Sequence, residues 1–362
     1  MQSPDVIVAG AGLAGLTAAL ACARRGLTVT IIAGSQHGAA SAASAGVLGP
    51  SIGRGPKGGR VGRFMFAARD RYPSFLDDLH ERSGIRVPAS TGALEIAFNE
   101  THLAELRARA AALPSTTVLD AADVAYRDPR LAPVAGALHH PLDGAVDPGV
   151  LLAAVKATLA ADERVAIVRA DVRTLGAVGS PLPNVGLSTG ATFSAPCLVL
   201  ATGAWAGTIA GLPRPLPVRP VKGEVAVAAA VAVREVTFGA GGYLVPRDTG
   251  MLVGATSADA GFDAAPSEGG AAELSAVVRA LLRSPRDTTP FVEQRAGLRP
   301  MTPDGYPILG PDPDAPSLIY ACGYSRNGVL VSPLAADCIA ALAAGEEAPI
   351  DLSAFSLSRF AG

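Results

Sequence analysis

The sequence predicts an α/β protein in which a domain built on parallel strands is joined to a second domain with a mostly antiparallel sheet. Three features of the sequence support this fold class. Residues 5–34 form a strand, a glycine-rich turn, a helix and a second strand within about thirty positions. Residues 165–168 predict a further strand, and residues 197–202 are a short apolar run, typical of a parallel strand buried on both faces. Residues 225–254 hold strand-length segments with a hairpin signal at 248–250, which favours an antiparallel sheet.

The opening segment carries the pattern of a dinucleotide site. Residues 6–8 are apolar with no polar face, as a buried parallel strand requires. Gly10, Gly12 and Gly15 follow as G-x-G-x-x-G, in which successive glycines allow a tight turn, a close pyrophosphate and close helix packing. The helix predicted at 13–25 then directs its free N–H groups toward that anion. A glycine-rich loop of another kind is the alternative, but the flanking strands and helix favour a Rossmann-type fold.

The end of the second predicted strand departs from this pattern. A carboxylate is expected there to hold the ribose hydroxyl groups. The sequence instead reads Ala33, Gly34, Ser35 and Gln36. Either Ser35 and Gln36 take over that hydrogen bond, or the ribose is held more loosely than usual.

The composition and charge of the chain disfavour several classes of partner. The chain has 362 residues, of which 17% are charged, and a formal net charge of -2. Neither nucleic acid nor an anionic membrane surface is therefore favoured as a partner. The longest apolar runs are too short to span a bilayer. A secretory signal near the start is the weaker interpretation, because no basic segment precedes the first apolar run.

Cysteines and histidines indicate neither a metal site nor a disulfide framework. The cysteines are scattered with no C-x-x-C, and the histidines lack metal-ligand spacing. His139 and His140 precede Pro-Leu-Asp-Gly at 141–144, which we interpret as a turn. We expect buried, reduced thiols and a cytoplasmic protein.

Three further segments bear on the architecture. Residues 38–50, rich in small side chains, follow the second strand at the edge where open α/β sheets bind ligands; a flexible linker is the alternative. Residues 64–84 predict one amphipathic helix, kinked at Pro73. Residues 319–344 predict a strand, a loop and a helix whose N terminus is a second place for N–H groups to face a ligand.

Several separate stretches match one family together. They are GAGLAGL at 10–16, SAASAGVLGP at 41–50, DGAVDPGVL at 143–151, LATGAWAG at 200–207, PVKGE at 220–224, YLVPR at 243–247, VGAT at 253–256, AGLRPMTPDGYPILG at 296–310 and GYSRNGVLVSP at 323–333. With these motifs the chain resembles, over nearly its whole length, the glycine oxidase branch of the D-amino-acid oxidase family. Those flavoenzymes oxidise small amino acids and secondary amines.

The resemblance implies a bound FAD and, with it, the fold class: a Rossmann-type FAD-binding domain with a mostly antiparallel substrate domain. The residues implied as cofactor-binding are Gly10, Gly12, Leu13, Ala14, Gly15, Ser41, Ser44, Ala45, Gly46, Val47, Leu48, Val172, Thr202, Gly203, Trp205, Arg299, Arg326, Asn327, Gly328, Val329 and Leu330. Val172 is implied to lie beside the adenine. For Gly203 and Trp205 a plain turn and a core side chain are the alternatives.

The domains are expected to alternate along the chain. We predict FAD-binding segments at 1–84, 143–222 and 296–362 and substrate-domain segments at 85–142 and 223–295.

Three matching residues are implied to contact the substrate. A guanidinium offers a carboxylate two parallel donors while staying charged, which makes Arg299 the candidate for gripping an amino acid. Tyr243 is placed to donate its phenol to the same carboxylate. Arg326 adds positive charge or shapes the entrance. The alternatives are an ordinary ion pair, a core tyrosine and a solvated arginine, respectively.

The implied reaction is oxidative deamination of glycine or a small amine such as sarcosine, D-alanine or D-proline. Hydride leaves the α-carbon for flavin N5, an imine forms and hydrolyses, and dioxygen yields hydrogen peroxide. The resemblance also implies a role in making the thiazole of thiamine. An amino-acid dehydrogenase with another electron acceptor and a non-catalytic flavin-binding module are the alternatives. Oligomeric state stays open.

Overall fold

The computed structural model describes residues 3–53, 58–113, 115–177, 180, 182–229, 233–248, 250–284 and 291–360. The helices are α1 (Leu13–Arg24), α2 (Arg60–Asp70), α3 (Tyr72–Ser83), α4 (Glu100–Ala110), α5 (Ala121–Arg127), α6 (Pro148–Ala160), α7 (Glu268–Leu281) and α8 (Gly328–Ala343). The strands are β1 (Val6–Ala9), β2 (Val29–Ala33), β3 (Val47–Leu48), β4 (Ala89–Ala97), β5 (Thr117–Asp120), β6 (Gly136–Val146), β7 (Val165–Arg169), β8 (Val172–Gly176), β9 (Asn184–Leu187), β10 (Thr192–Ser194), β11 (Cys197–Leu200), β12 (Arg219–Ala228), β13 (Val236–Gly239), β14 (Gly242–Arg247), β15 (Gly250–Gly254), β16 (Phe291–Met301), β17 (Ile308–Pro311) and β18 (Leu318–Cys322).

Sheet 1 is the parallel sheet that the opening segment predicts. Its strand order is β17-β18-β11-β1-β2-β7, and every neighbouring pair is parallel except β17 and β18. Val6, Ile7 and Val8 in the middle of this sheet are fully buried. The apolar helices α1 and α8 pack against each other beside it. The Rossmann-type part of the predicted fold class is confirmed.

Sheet 2 is the mostly antiparallel sheet. Its strand order is β16-β12-β15-β14-β13-β4-β6-β3, with β5 paired to β6. The pair of β13 and β4 is parallel and the other pairs are antiparallel. The hairpin predicted around 248–250 is present as the antiparallel pair of β14 and β15, and residue 249 of its turn lies outside the described residues. A smaller sheet 3, in the order β10-β9-β8, is attached near β2.

The strands of each sheet come from separate parts of the chain. Sheet 1 takes strands from all three predicted FAD-binding segments. Sheet 2 also takes β3 from the first of them, and its long strands β6, β12 and β16 cross predicted boundaries. The division into five segments stays a prediction.

Two sequence interpretations are wrong in detail. The single kinked helix at 64–84 is two helices, α2 and α3, and Pro73 lies in the first turn of α3, where its missing N–H costs nothing. Residues 141–144 are no turn, because they lie within β6; residues 141–143 form a bulge opposite Gly92, between the pairs His140–Ala93 and Gly144–Thr91. Of the strand predicted at 225–233, residues 230–232 lie outside the described residues.

All cysteines are free and buried, as predicted. Within the described ranges, no helix combines the length and the apolar character that crossing a bilayer requires.

Two partly buried ion pairs link sheet 2 to neighbouring helices. Arg109 on α4 donates to both carboxylate oxygens of Glu95 on β4, at 2.8 and 2.6 Å. Arg127 at the end of α5 does the same to Glu235, at 2.8 and 2.7 Å. Burial alone would raise the pKa of each carboxyl group. The arginine, together with a nearby histidine, outweighs that effect and lowers both pKa values to about 2.

Stability should therefore fall in acid. Because the folded-state pKa of each carboxyl lies below its ordinary 4.5, the contribution is complete above that pH and is lost as the pH falls toward 2. We expect the Glu95 pair to contribute on the order of 2 kcal/mol and the Glu235 pair less, because Arg127 and Glu235 are more exposed and solvent screens their attraction. Urea unfolding between pH 7 and 3 measures it. Glu95→Gln and Glu235→Gln should flatten the pH dependence, whereas Glu81→Gln, exposed on α3, should leave it unchanged. If the unfolding free energy of both glutamate variants depends on pH as steeply as that of the wild type, these ion pairs are not the origin of the acid sensitivity.

Candidate active site

A cavity of about 940 Å³ lies where the carboxyl ends of sheet 1 meet one face of sheet 2. This volume is at the upper end of the range of cofactor sites. Every predicted site residue lines it except Gly15 and Leu48. Gly15 packs against the backbone of Gly10, where a Cβ would lie 2.0 Å from the Gly10 carbonyl oxygen. Leu48 is a core side chain, 7% exposed, in the cluster around α1 and α8.

The turn after β1 is shaped for close approach to an anion. Gly10 has φ +117, and a Cβ there would lie 2.2 Å from the carbonyl oxygen of Ala201, so glycine is required. The N–H groups of Gly12 and Ala14 have no acceptor among the described residues. Ser41 accepts the Leu13 N–H at 3.0 Å and thus ties the loop of residues 38–50 to this turn.

A second approach of sheet 1 to the cavity comes after β11. The buried hydroxyl of Thr202 has no hydrogen-bond partner within the described ranges. An unpartnered hydroxyl on a cavity wall is costly unless a ligand supplies the partner. Trp205 lines the cavity and stacks on Phe262, with ring centroids 5.8 Å apart.

The N terminus of α8 faces the same cavity. The N–H groups of Gly328, Val329 and Leu330 lack acceptors in the part of the chain that the structure describes, and Asn327 does not cap them with its side chain. The positive ends of α1 and α8 and the Thr202 hydroxyl together fit FAD, which carries a pyrophosphate and an electron-accepting ring with polar edges.

Arg247 connects the loop of residues 38–50 to sheet 2. From β14 it donates to the carbonyl oxygen of Ala45 at 2.5 Å, so the small-residue loop is fastened to sheet 2. This loop is therefore part of the site wall and not a free linker.

Arg299 lies flat on sheet 2 with its guanidinium in the cavity. The guanidinium occupies the space beside Gly223 on the neighbouring strand β12, and its Nη1 donates to the carbonyl oxygen of Thr256 at 2.9 Å. No carboxylate of the described residues lies within 4.0 Å of it. Burial lowers the pKa of Arg299, and the charge of Arg326 adds to this effect. A guanidinium stays charged under such conditions, so the site presents an unpaired cation.

Tyr243 lies beside Arg299 on the same face. Its ring packs over Gly254 of β15, where a Cβ would lie 2.5 Å from the phenol oxygen, and tilts against Phe238 at 5.3 Å. Burial raises the pKa of Tyr243, and the charges of Arg299 and Arg326 oppose that change. Since its hydroxyl has no partner in the described structure, it is free to donate into the cavity.

Arg326 lines the cavity from the loop before α8. Its side chain is exposed and pairs with no carboxylate in the described ranges. The structure thus brings Arg299, Tyr243 and Arg326 to one cavity as two cations and one phenol.

The sequence did not identify the residues against which these side chains pack. Gly223 and Gly254 are central-strand glycines that leave room for the guanidinium and the phenol, and Thr256 provides the carbonyl that orients Arg299. Gly223 carried a usable signal, because a glycine inside a strand marks a close approach.

Comparison with known proteins agrees with the fit of this cavity to FAD. Residues 5–342 match the model of the DAO family, described as FAD dependent oxidoreductase. The glycine oxidase of Geobacillus kaustophilus (strain HTA426) is 33% identical, over 99% of this chain and 97% of its own length. Its species is also the source of a glycine oxidase crystal structure that superposes with a TM-score of 0.92 at 30% identity, covering 100% of both chains.

Two other relatives add detail. The bifunctional protein ThiO/ThiG of Synechocystis sp. (strain ATCC 27184 / PCC 6803 / Kazusa) is 31% identical over 98% of this chain, which spans only 54% of that protein. The crystal structure of iminodiacetate oxidase (IdaA) from Chelativorans sp. BNC1 has a TM-score of 0.88 at 25% identity, covering 97% of this chain and 98% of that one. The chain therefore belongs to the DAO family of FAD-dependent oxidoreductases, in the branch that contains the glycine oxidases.

Proposed function

We propose that the protein oxidises glycine and similarly small amines or D-amino acids, with FAD as cofactor and dioxygen as electron acceptor. The observation that carries the proposal is the unpaired guanidinium of Arg299, held against Gly223 and directed into the FAD cavity beside the phenol of Tyr243. A carboxylate is the anion that such a planar pair of donors matches.

The residues have separate tasks. Arg299 binds the substrate carboxylate, and its bond to the Thr256 carbonyl limits its rotation. Tyr243 donates a further hydrogen bond to the same carboxylate. With the acid group fixed at two points, the α-carbon is oriented without any protein nucleophile, and positioning supplies much of the rate.

FAD, when bound, supplies the acceptor for the hydride that leaves the α-carbon, and the resulting imine hydrolyses to an oxo acid and ammonia or amine. Gly10, Gly12 and the α1 N terminus would hold its pyrophosphate. The free N–H groups at the start of α8 would stabilise negative charge on its ring edge.

An anaerobic substrate screen tests the proposal. Glycine, sarcosine, D-alanine and D-proline are added to the holoenzyme, and at least one should bleach the flavin absorbance. Readmitted air should restore it with formation of hydrogen peroxide. Bleaching without recovery in air would favour a dehydrogenase, and no bleaching by any amine would favour a non-catalytic flavin-binding module.

A second candidate substrate class is the N-carboxymethyl amino acids. Arg299 and Arg326 both line the cavity and neither meets a carboxylate in the described residues, so a dicarboxylate would pair both. The relative whose name is iminodiacetate oxidase supports this class. Iminodiacetate added to the same screen should outperform glycine if Arg326 binds substrate. Arg326→Ala should then lower its kcat/KM and leave that of glycine nearly unchanged.

We further propose a cytoplasmic role in thiamine thiazole synthesis. The similarity to the ThiO/ThiG proteins supports the role. Buried, unpaired cysteines are those of a protein kept in a reducing compartment. A thiamine requirement on deletion of the gene, relieved by the wild type and not by Arg299→Ala, tests it.

Tyr243→Phe should lower kcat/KM for glycine by roughly one charged hydrogen bond, about 1.5 to 3 kcal/mol. The ring keeps its packing over Gly254 and against Phe238, so flavin content and Tm should not change. Steady-state peroxide formation measures the effect. Tyr126→Phe, at a side chain 90% exposed, is the matched control. Equal activity of Tyr243→Phe and wild type would remove the phenol from the substrate contacts.

A further inference from the structure

The turn after β2 lacks the acid that usually holds the ribose of a dinucleotide. Ala33 ends the strand, and Gly34 and Gln36 line the cavity at the end that also contains Val172. A FAD ribose reaches this edge of a Rossmann-type sheet. Some other group at this turn must therefore meet the ribose hydroxyls, or they stay solvated.

The side chain of Gln36 folds back over Gly34. Its Oε1 lies 2.5 Å, and its Cδ 3.5 Å, from the point where a Cβ of residue 34 would be. Any side chain at position 34 would displace the Gln36 amide from this place. The glycine thus makes room for the Gln36 amide next to the end of β2, the strand end at which the usual pattern has a carboxylate.

A carboxylate is present, but it lies behind the turn. Asp171, the residue before β8, accepts the N–H of Ser35 at 2.8 Å and the Ser35 hydroxyl at 3.2 Å. Its own backbone is held by Ser188: the N–H of Asp171 donates to the Ser188 hydroxyl at 3.1 Å, and the carbonyl oxygen of Asp171 accepts the Ser188 N–H at 2.8 Å. Asp171 does not line the cavity. It therefore fastens the turn that carries Gln36 to sheet 3.

The nearby charge explains why an amide is suitable. Oδ1 of Asp171 is 3.1 Å from the same Cβ point of residue 34 that Gln36 Oε1 approaches. A glutamate at position 36 would bring two carboxylates together, and like charges at such range are unfavourable. A neutral amide accepts one hydroxyl proton and donates to a second oxygen without that repulsion.

We propose that Gln36 binds the hydroxyl groups of the adenosine ribose of FAD, and that Asp171 positions it through Ser35. The role concerns the cofactor alone, so it does not depend on which amine the enzyme oxidises.

Release of FAD from diluted holoenzyme, followed by flavin fluorescence, tests the role of Gln36. Gln36→Ala should raise the dissociation constant of FAD roughly tenfold, the value of about one hydrogen bond. His37→Ala, at the exposed next residue outside the cavity wall, should not change it. For an FAD analogue that lacks both hydroxyl groups of the adenosine ribose, the dissociation constant of the wild type should be higher than that of FAD by the same factor. Gln36→Ala should not raise the dissociation constant of this analogue further. Equal weakening of FAD and analogue by Gln36→Ala, or no weakening, would overturn the proposal.

A double-mutant comparison tests the role of Asp171. Asp171→Ala should weaken FAD several-fold in the wild-type background and hardly at all in the Gln36→Ala background, because it acts only through that side chain. The same loss in both backgrounds would mean that Asp171 supports the fold and does not position Gln36. Since flavin release needs no turnover, a failure of this inference is separable from a failure of the proposed oxidation.

Discussion

Replacing Arg299 by alanine should lower kcat/KM for amino-acid substrates by roughly 100- to 10,000-fold while FAD stays bound. Truncating one partner of a partly buried, hydrogen-bonded charge pair costs about 3 to 5 kcal/mol, and each 1.4 kcal/mol is about tenfold. Loss of this contact should affect kcat as well as KM, because an unfixed carboxylate also misplaces the α-carbon. Anaerobic half-reaction rates measured by flavin bleaching separate the two effects.

The matched control is Arg295→Ala on the same strand. Arg295 lies on the same side of β16 as Arg299, four residues earlier, but pairs with Glu293 and does not line the cavity. Its removal should leave both kinetic constants near wild type. Arg299→Lys should recover only part of the activity, since an ammonium offers no bidentate fork. Turnover of Arg299→Ala at the wild-type rate, with flavin content intact, would exclude Arg299 from the substrate site.

The parallel part of the fold could be predicted because its signals are local. A strand, three glycines, a helix and a second strand follow one another within residues 5–34, and each is specified by its own pattern. Sheet 2 could be recognised as antiparallel but not ordered. Its strands pair across long separations, such as β4 with β13 and β12 with β16, and no local pattern encodes such pairing. The turn predicted at 141–144 is wrong for the same reason, since the pairs that β6 forms with β4 at His140 and Gly144 hold the intervening residues in a bulged strand.

The candidate site, too, could be predicted from the sequence only in part. The motifs identify Arg299 and Tyr243, yet their orientation depends on which residues lie across the sheet. Gly223 and Gly254 become meaningful only once the register of β12, β15 and β14 is known. The bond between Ser35 and Asp171 joins positions 136 apart and connects two sheets, so the sequence alone leaves the ribose question open.

Gly223→Ala should lower kcat/KM roughly 100-fold although Arg299 itself is unchanged. A Cβ at this position would lie 2.2 Å from Cζ of Arg299, so the guanidinium must leave its place over β12. A displacement of about 1 Å at a positioning group is enough for a loss of that size. The backbone of Gly223 lies within the regular ladder of β12 and β16, where alanine is accepted, and therefore Tm and flavin content should stay near wild type.

Gly269→Ala supplies the comparison, because that glycine has open space around it on α7 and does not line the cavity. It should keep full activity and slightly raise Tm through its better helix propensity. In the Arg299→Ala background, Gly223→Ala should cost little more, since the group that it displaces is already gone. If the two losses instead multiply, or if Gly223→Ala turns over glycine like the wild type, then the placement of the guanidinium against β12 is not what orients the substrate.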